Sequence, residues 1–376
     1  VYQYMYIYRN NCAICSNELK NIYVQENVPI QLSCTSNNTN YNYSNMSFSQ
    51  CVTCNTIQLD RLVPLHILYS NSHNYVSVGE VWKGYFELFN DNIDKIINNK
   101  IVLEVGCPSG KLALSHDNYK KWYIVEPNKN KTIYFNEKIV FIESFFDENF
   151  TINDSVDIIV HSHLFEHIYE PNVFLKQCYD ILNDDGEMYF GVPNMEYIAE
   201  QNLSLFLGIF FEHTIFLNKD NIICLLIQNG FEIKNIIDYQ THSVLFHVKK
   251  VKQIIKPELK IITNYYDNFI NFMKEFTSYV NNYNTIIRKT NKPVYIFGAS
   301  YNTQLLLTMD INKNKIIGIL DNCQNKHNKY LYGCDLKIYS PEIIKNNECI
   351  VIVKAGYYSN EIKEQLKRIN ENIEII

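Results

Sequence analysis

Between residues 101 and 193 the chain repeats one pattern: a short, continuous apolar run followed by a polar or amphipathic helical stretch. The runs are IVLEV (101–105), WYIVE (122–126), IVFIE (139–143), VDIIVHS (156–162) and EMYFGVP (187–193). A strand that is apolar on both faces must be covered on both faces, and helices flanking a parallel sheet do this. The fold class predicted is therefore α/β. Two later runs, FEIKNII (231–237) and VLFHV (244–248), read as an antiparallel closing hairpin. Residues 251–290 are polar, with Phe269, Phe272, Phe276 and Val280 recurring at helical spacing. A second alternation then begins with VYIFG (294–298), IIGILD (316–321) and CIVIVKA (349–355). Four regions are expected: 1–62, 63–250, a helical connector at 251–290, and a second α/β lobe at 291–376.

A length of 376 residues matches two or three domains at roughly 100–200 residues each. Hydrophobic residues make up 47% and aromatics 14%, enough for a sizeable core. The net charge of −6 leaves no basic surplus for phosphate neutralisation, so nucleic acid is not an expected partner. No run reaches the ~18–20 apolar residues of a membrane span, so no membrane partner is expected either. The opening VYQYMYIYRN lacks the features of a signal peptide. The expectation is a cytoplasmic protein, monomeric, whose 11 cysteines are thiols or metal ligands and not disulfides.

Four of those cysteines form two C-x2-C units, CAIC (Cys12, Cys15) and CVTC (Cys51, Cys54). Each unit offers two thiolates to one point, and two units complete a tetrahedral Zn²⁺ site. The long gap between them closes at modest entropic cost. With no open ligand position implied, the site is expected to be structural. Cys34 lies between the pairs as a bystander.

IVLEVGCPSGKLA (101–113) reads as strand, glycine turn, helix. Gly106 and Gly110 permit a tight turn and close approach of a ligand to backbone amides. Glu126 ends the next strand, about 20 residues further on, where a carboxylate grips ribose hydroxyls. Nicotinamide dinucleotides and S-adenosylmethionine (SAM) both use this arrangement. The turn is E-x-G-x-x-x-G with Pro108 in its middle and lacks the G-x-G-x-x-G pyrophosphate cradle, so SAM, which has a ribose and no phosphate, fits better. The cofactor candidates are Glu104, Gly106, Cys107, Gly110, Glu126, Pro127, Ser144, His161, His163 and His167. For His163 and His167, pocket lining or helix-start packing is preferred to direct catalysis.

From Glu104-x-Gly106, Glu126 and Phe165-Glu166-His167, the chain resembles the class I, Rossmann-like, SAM-dependent methyltransferases. The order of Cys pairs, SAM domain and second Rossmann-like lobe is similar, more narrowly, to the nucleotide-sugar C-methyltransferases. So are CVTCNTIQLDRLVP (51–64), LYSNSHNYVSVGEVW (68–82), VYIFGASYNTQLLL (294–307), ILDNCQNKHNKYLYG (319–333), YSPEII (339–344) and CIVIVKAGYYSNEIKEQL (349–366). The resemblance implies a keto-sugar nucleotide as substrate. It also implies a C-terminal lobe that helps hold the nucleotide end, with Gly298, Asn302 and Asp321 at its turn and strand end. That family usually carries Tyr-His-Glu-His after the fifth strand. Here the stretch is Phe210-Phe211-Glu212-His213, within the run FFEHTIF.

C-methylation needs a base to remove a proton beside a carbonyl, and a histidine of near-neutral pKa suits that task. The resemblance makes His213 the base and Glu212 its partner. The hydroxyl lost with Phe210 is then sought from His242 and Ser243, or from Tyr75. Three readings follow: C-methylation, O-methylation on the same scaffold, which needs no enolate, and a binding protein with a degenerate SAM pocket. For Glu212 and His213 the alternative is a buried ion pair that only fixes the loop.

Overall fold

The computed structural model describes residues 6–37, 41–69, 79–107, 109–128, 136–195, 208–253, 257, 261 and 264–376. Strands β1 (Ile101–Val105), β2 (Lys121–Val125), β3 (Ile139–Ile142), β4 (Val156–Ser162), β5 (Leu182–Pro193), β6 (Phe231–Tyr239) and β7 (Ser243–Lys250) form one sheet. Their order is β6-β7-β5-β4-β1-β2-β3. The first five pair in parallel. β7 runs antiparallel to both β5 and β6, as the predicted closing hairpin requires. The chain moves outward from β1 to β3 and then crosses back to β4 beside β1. That reversal opens a crevice beyond the carboxyl ends of β1 and β4, the place where open α/β sheets bind ligands.

Both faces of the sheet are covered, which explains the uninterrupted apolar runs. Helix α1 (Glu80–Asp94) lays Tyr85, Phe89 and Ile93 against Trp122, Ile124 and Tyr189. On the other face α2 (Pro171–Ile181) and α3 (Lys219–Gln228) bury Phe174, Leu175, Leu225 and Leu226 against Leu103, Ile159 and Phe190. Each such large side chain contributes about 1.5–3 kcal/mol by leaving water. α2 begins with Pro171 in its first turn, where the missing N–H costs nothing. α3 begins with a capping box in which Asn218 and Asn221 exchange side-chain and backbone hydrogen bonds.

The C-terminal lobe is a second parallel sheet of β8 (Val294–Phe297), β9 (Ile316–Leu320), β10 (Ile338–Tyr339), β11 (Ile350–Val353) and β12 (Glu374–Ile375). Its order is β10-β9-β8-β11-β12. The connector is the single helix α4 (Tyr265–Lys289), with Phe269, Phe272, Phe276 and Val280 buried. Helices α5 (Tyr301–Thr308) and α6 (Ser359–Ile369) belong to the second lobe.

The N-terminal region, α4 and the second lobe share one core. Phe48 packs on Phe269 at 4.9 Å between ring centroids, and the Gln304 side-chain amide donates to the carbonyls of Gln31 (2.9 Å) and Tyr332 (2.8 Å). The N-terminal sheet holds Leu19–Pro29, Tyr43–Cys51 and Ile57–Leu59, and its fourth strand is Ile215–Phe216 from far along the chain. Among the described residues no helix is long and apolar enough to cross a membrane.

Candidate active site

The two C-x2-C turns meet. Cys12 Sγ lies 3.6 Å from Cys54 Sγ, and Cys15 Sγ lies 3.5 Å from Cys51 Sγ, with all four sulfurs within 4.8 Å of one another. Tetrahedral ligands at about 2.3 Å from a metal are spaced in this range. N–H groups support the sulfurs: Cys54 N donates to Cys51 Sγ at 3.4 Å and Gln58 Nε2 to Cys12 Sγ at 3.2 Å. The hydrogen bond from Cys54 draws the Cys12 thiol down to about 5, against its burial. The donor set therefore fits a thiophilic divalent ion.

At the crevice beyond β1 and β4 lies a cavity of about 560 Å³, in the range of small-molecule sites. Gly106, Glu126, Pro127, Ser144, His163, His167 and Glu212 line it. Gly106 has φ 82°, and a Cβ there would meet Leu164 Cδ1 at 3.1 Å, so this turn and its close wall require glycine. Glu126 ends β2 with its carboxylate accepting the Asn128 N–H at 2.9 Å. A glycine turn, a carboxylate at the end of β2 and apolar walls such as Val105, Phe146 and Leu164 fit a nucleoside cofactor.

One side of the cavity is built from imidazoles and carboxylates. His163 Nδ1 and His167 Nε2 lie 3.6 and 3.8 Å from Glu166 Oε1, and His167 Nδ1 lies 3.7 Å from Glu212 Oε2. Ligating atoms of Glu166, His167 and His213 fall within 4.8 Å of one another. Burial works to raise the Glu166 carboxyl, but His163, His167 and His213 outweigh it and hold it at about 2. His213 goes the other way. Burial, helped by His167, lowers it to about 3, so it is a neutral imidazole and a weaker base than the near-neutral histidine expected from the sequence.

The FFEHTIF stretch is positioned by three parts of the chain at once. Thr214 N donates to the Glu166 carbonyl (3.1 Å) and Leu59 N to the Thr214 carbonyl (2.8 Å). The buried Arg9 guanidinium donates to the carbonyls of Leu59 (2.9 Å), Thr214 (3.0 Å) and Tyr169 (2.6 Å). Ile215 and Phe216 then pair with Gln58 and Ile57. Phe210 stacks on Tyr301 of the C-terminal lobe at 5.3 Å and 7°. His213 thus sits between the cavity wall, where His167 is 4.9 Å away ring to ring, and the contact with the second lobe.

Several expectations change. Glu104 does not line the cavity: it accepts the Trp122 indole N–H at 2.8 Å, and burial raises its carboxyl to about 7. Cys107, Gly110 and His161 are also absent from the lining. His161 stacks on Phe190 at 4.6 Å, inside an aromatic cluster with Phe165 and Phe174. Glu212 was expected to orient His213, yet its carboxylate faces His167. His242 and Ser243, expected to reach the reacting centre, bond instead to each other, to His163 and to Tyr358. Tyr75, Pro108 and residues 203–207 of the apolar run lie outside the described residues. Asp321 accepts N–H bonds from Ala299 and Cys323 and pairs with Lys326 at 3.0 Å, so this acid organises its own turn. Tyr69, Glu166, Tyr301 and Tyr358 were missed. Only Glu166 had a local signal, between Phe165 and His167.

His161 gives a stability test. Burial lowers its pKa from 6.5 to about 3, and neither ring nitrogen has a hydrogen-bond partner among the described residues. Below 6.5 the unfolded chain binds a proton that the folded chain refuses, so stability is lost as pH falls toward 3. The slope approaches about 1.4 kcal/mol per pH unit for each such group. His161→Phe is expected to flatten the fall of Tm between about pH 6.5 and 5 by one proton's worth. An unchanged slope counts against this assignment.

The family model described as a methyltransferase domain matches residues 81–235, and that described as a C-methyltransferase C-terminal domain matches residues 230–374. With the sheet order above, this makes the protein a methyltransferase of class I, Rossmann-like fold. Its second lobe lies within the C-methyltransferase C-terminal match. No curated protein sequence matches the chain. Solved structures give partial, low-scoring likenesses. One is a SAM-dependent methyltransferase from Mesorhizobium loti (10% identity, 43% of this chain and 95% of that chain, TM-score 0.36). Another is the N-methyltransferase NodS from Bradyrhizobium japonicum WM9 (10% identity, 47% and 100%, TM-score 0.37). A third is a SAM-dependent methyltransferase from Aquifex aeolicus (14% identity, 45% and 89%, TM-score 0.35).

Proposed function

We propose that this enzyme methylates carbon on a nucleotide-linked keto-deoxysugar, with His213 as the base. The observation that carries the reading is the cluster in which His167 and Glu212 line the cavity and Glu166 and His213 pack behind them. The C-methyltransferase C-terminal match supports it. Bound SAM supplies an electrophilic methyl group. Glu126, just after β2, would hold its ribose, and the Gly106 turn would admit it close to the backbone. His213, neutral and enclosed, takes the proton from the sugar carbon beside the carbonyl. Glu166 and Glu212 stabilise the imidazolium that forms. Tyr69 lines the cavity beside His167, at 3.2 Å from Nδ1, and burial raises its pKa well above 10. It keeps its proton and offers the hydroxyl that Phe210 cannot, as a donor to the developing enolate oxygen. The four-cysteine cluster holds a structural Zn²⁺.

O-methylation is the second reading, favoured by Phe210, whose ring is committed to Tyr301. The two readings separate when the enzyme is incubated with SAM and a 4-keto-6-deoxy sugar nucleotide in deuterated buffer. C-methylation predicts deuterium exchange beside the carbonyl and a new carbon–methyl bond. Methyl transfer to a hydroxyl with no exchange overturns it.

A further inference from the structure

We propose that Tyr358 of the C-terminal lobe is the outer end of a proton wire, Tyr358–His242–Ser243–His163, whose inner end lines the cofactor cavity. The contacts are continuous. Tyr358 Oη lies 3.1 Å from His242 Nε2, His242 Nδ1 lies 2.6 Å from Ser243 Oγ, and Ser243 Oγ lies 3.0 Å from His163 Nε2. His163 faces the cavity and turns Nδ1 toward Glu166 Oε1 at 3.6 Å. Tyr358 is partly exposed.

The chain is built and held. His163 has φ 49°, a left-handed conformation uncommon outside glycine and found at functional sites. Its N–H is tied to the Gly191 carbonyl at 2.8 Å. Trp82 packs on both imidazoles, at 4.8 Å from His163 and 4.5 Å from His242. Tyr85 adds a second wall at 5.1 Å from His163. The two histidines belong to different strand ends, β4 and the turn before β7, and the tyrosine belongs to the other lobe.

Hydrogen-bond direction follows from the inner end. The negative charge of ionised Glu166, 3.6 Å away, favours an N–H on His163 Nδ1. A neutral His163 then accepts at Nε2, so Ser243 donates to it. Ser243 in turn accepts from His242 Nδ1–H, and His242 Nε2 accepts the Tyr358 hydroxyl proton. If His163 carries two protons, every bond reverses: His163 Nε2–H donates to Ser243, Ser243 donates to His242 Nδ1, and His242 Nε2–H donates to Tyr358. The two states are joined by one shift in which His163 gives one proton, and Ser243, His242 and Tyr358 each receive one and give one. An imidazolium at His163 thereby becomes neutral, and Tyr358 releases its own hydroxyl proton to solvent. No oxidant or co-reactant is needed.

Use of the wire rests on the C-methylation reading. Each methyl transferred through an enolate leaves one proton in an enclosed site. Glu166, close to both His213 and His163, links the base to the wire: carrying the proton taken from His213, it donates to a bare His163 Nδ1 while Nε2–H faces Ser243, and that transfer forms the imidazolium that the shift discharges. Tyr358 acts through His242 and is a positioning residue. It makes the C-terminal lobe a part of the methyltransferase domain's proton path, in addition to any role in holding substrate.

The test is imidazole ¹⁵N NMR on the full-length protein without substrate, comparing wild type, Tyr358→Phe and Ser243→Ala. In wild type, His242 is expected to carry its proton on Nδ1, and neutral His163 likewise. Tyr358→Phe removes the donor to His242 Nε2, so the tautomer signals of both histidines are expected to move while the SAM-product affinity stays within about twofold. Ser243→Ala is expected to move His163 and leave the His242–Tyr358 contact in place. An Nε2-protonated His242 beside a neutral His163 overturns the wire. So does a His163 signal indifferent to both substitutions. A merely structural role would lower Tm without moving either tautomer. If the deuterium experiment fails in the wild type, C-methylation fails while the tautomer result stands, so the two failures are distinguishable.

Discussion

His213→Asn is expected to lower methyl transfer by about 10²–10⁴-fold, the usual contribution of a positioned general base. SAM affinity is expected to stay within about twofold, because His213 is not among the residues that line the cavity. The expectation rests on position and on protonation state. His213 is almost fully enclosed and its Nδ1 has no hydrogen-bond partner among the described residues, so this nitrogen is not spent on holding the loop. That work is done by Thr214, Arg9 and the pairing of Ile215–Phe216. With its pKa lowered to about 3, chiefly by burial, the free enzyme holds His213 in the proton-accepting form throughout the neutral range. The kcat/KM profile is therefore expected to show no loss from protonation of this group above about pH 5. Full turnover by the variant would return Glu212-His213 to a purely structural role. A variant that loses SAM binding as well would show that the defect is one of folding and not of proton transfer.

Removing the metal from the four-cysteine cluster is expected to have the largest effect on stability. Structural Zn²⁺ in small modules is worth about 10–16 kcal/mol in apparent binding free energy at neutral pH. Here the N-terminal region also shares a core with α4 and the second lobe, so only part of that figure is at stake. Even a few kcal/mol is a large fraction of the about 5–15 kcal/mol that holds a typical domain. The expected result is one zinc per chain by elemental analysis, lost in a Cys15→Ser/Cys51→Ser double variant together with a large drop in Tm. Activity is expected to fall with it, because Ile57–Leu59 leads away from the cluster and pairs with the strand that follows His213. Absence of zinc from protein made with zinc available, or zinc retained by the double variant, removes the assignment.

Much of the fold was legible because it depends on local pattern. Five uninterrupted apolar runs required a sheet covered on both faces, and α1, α2 and α3 cover it. The spacing of Phe269, Phe272, Phe276 and Val280 required one buried helical face, and α4 buries it. The cysteine pairs carried their own geometry, since a C-x2-C turn brings two sulfurs together by itself. Gly106 and Glu126 line the cavity, and they could be chosen as candidates because a crevice at the carboxyl ends of such strands calls for a glycine turn and a polar group there.

The candidates placed away from the cavity share a cause. Glu104 sits one residue before the glycine turn's entry, and its alternation along β1 could have faced either the ligand or the core. The indole of Trp122, on the neighbouring strand, decided for the core. His161 and His163 are two residues apart near the end of β4, yet one is sealed among phenylalanines and the other lines the cavity. The positive φ of His163 makes the difference by turning the chain out of the strand.

The sequence by itself determined the α/β class, the two C-x2-C turns and the glycine turn after β1, because each follows from residues close together in the chain. Only the tertiary structure decided which titratable groups meet. Glu166 among three histidines, the hold of Arg9 and Ile57–Leu59 on the residues after His213, and the reach of Tyr358 to His242 all join segments distant in sequence. Burial and neighbouring charge, which set whether each of these groups keeps its proton, exist only once those segments are packed together.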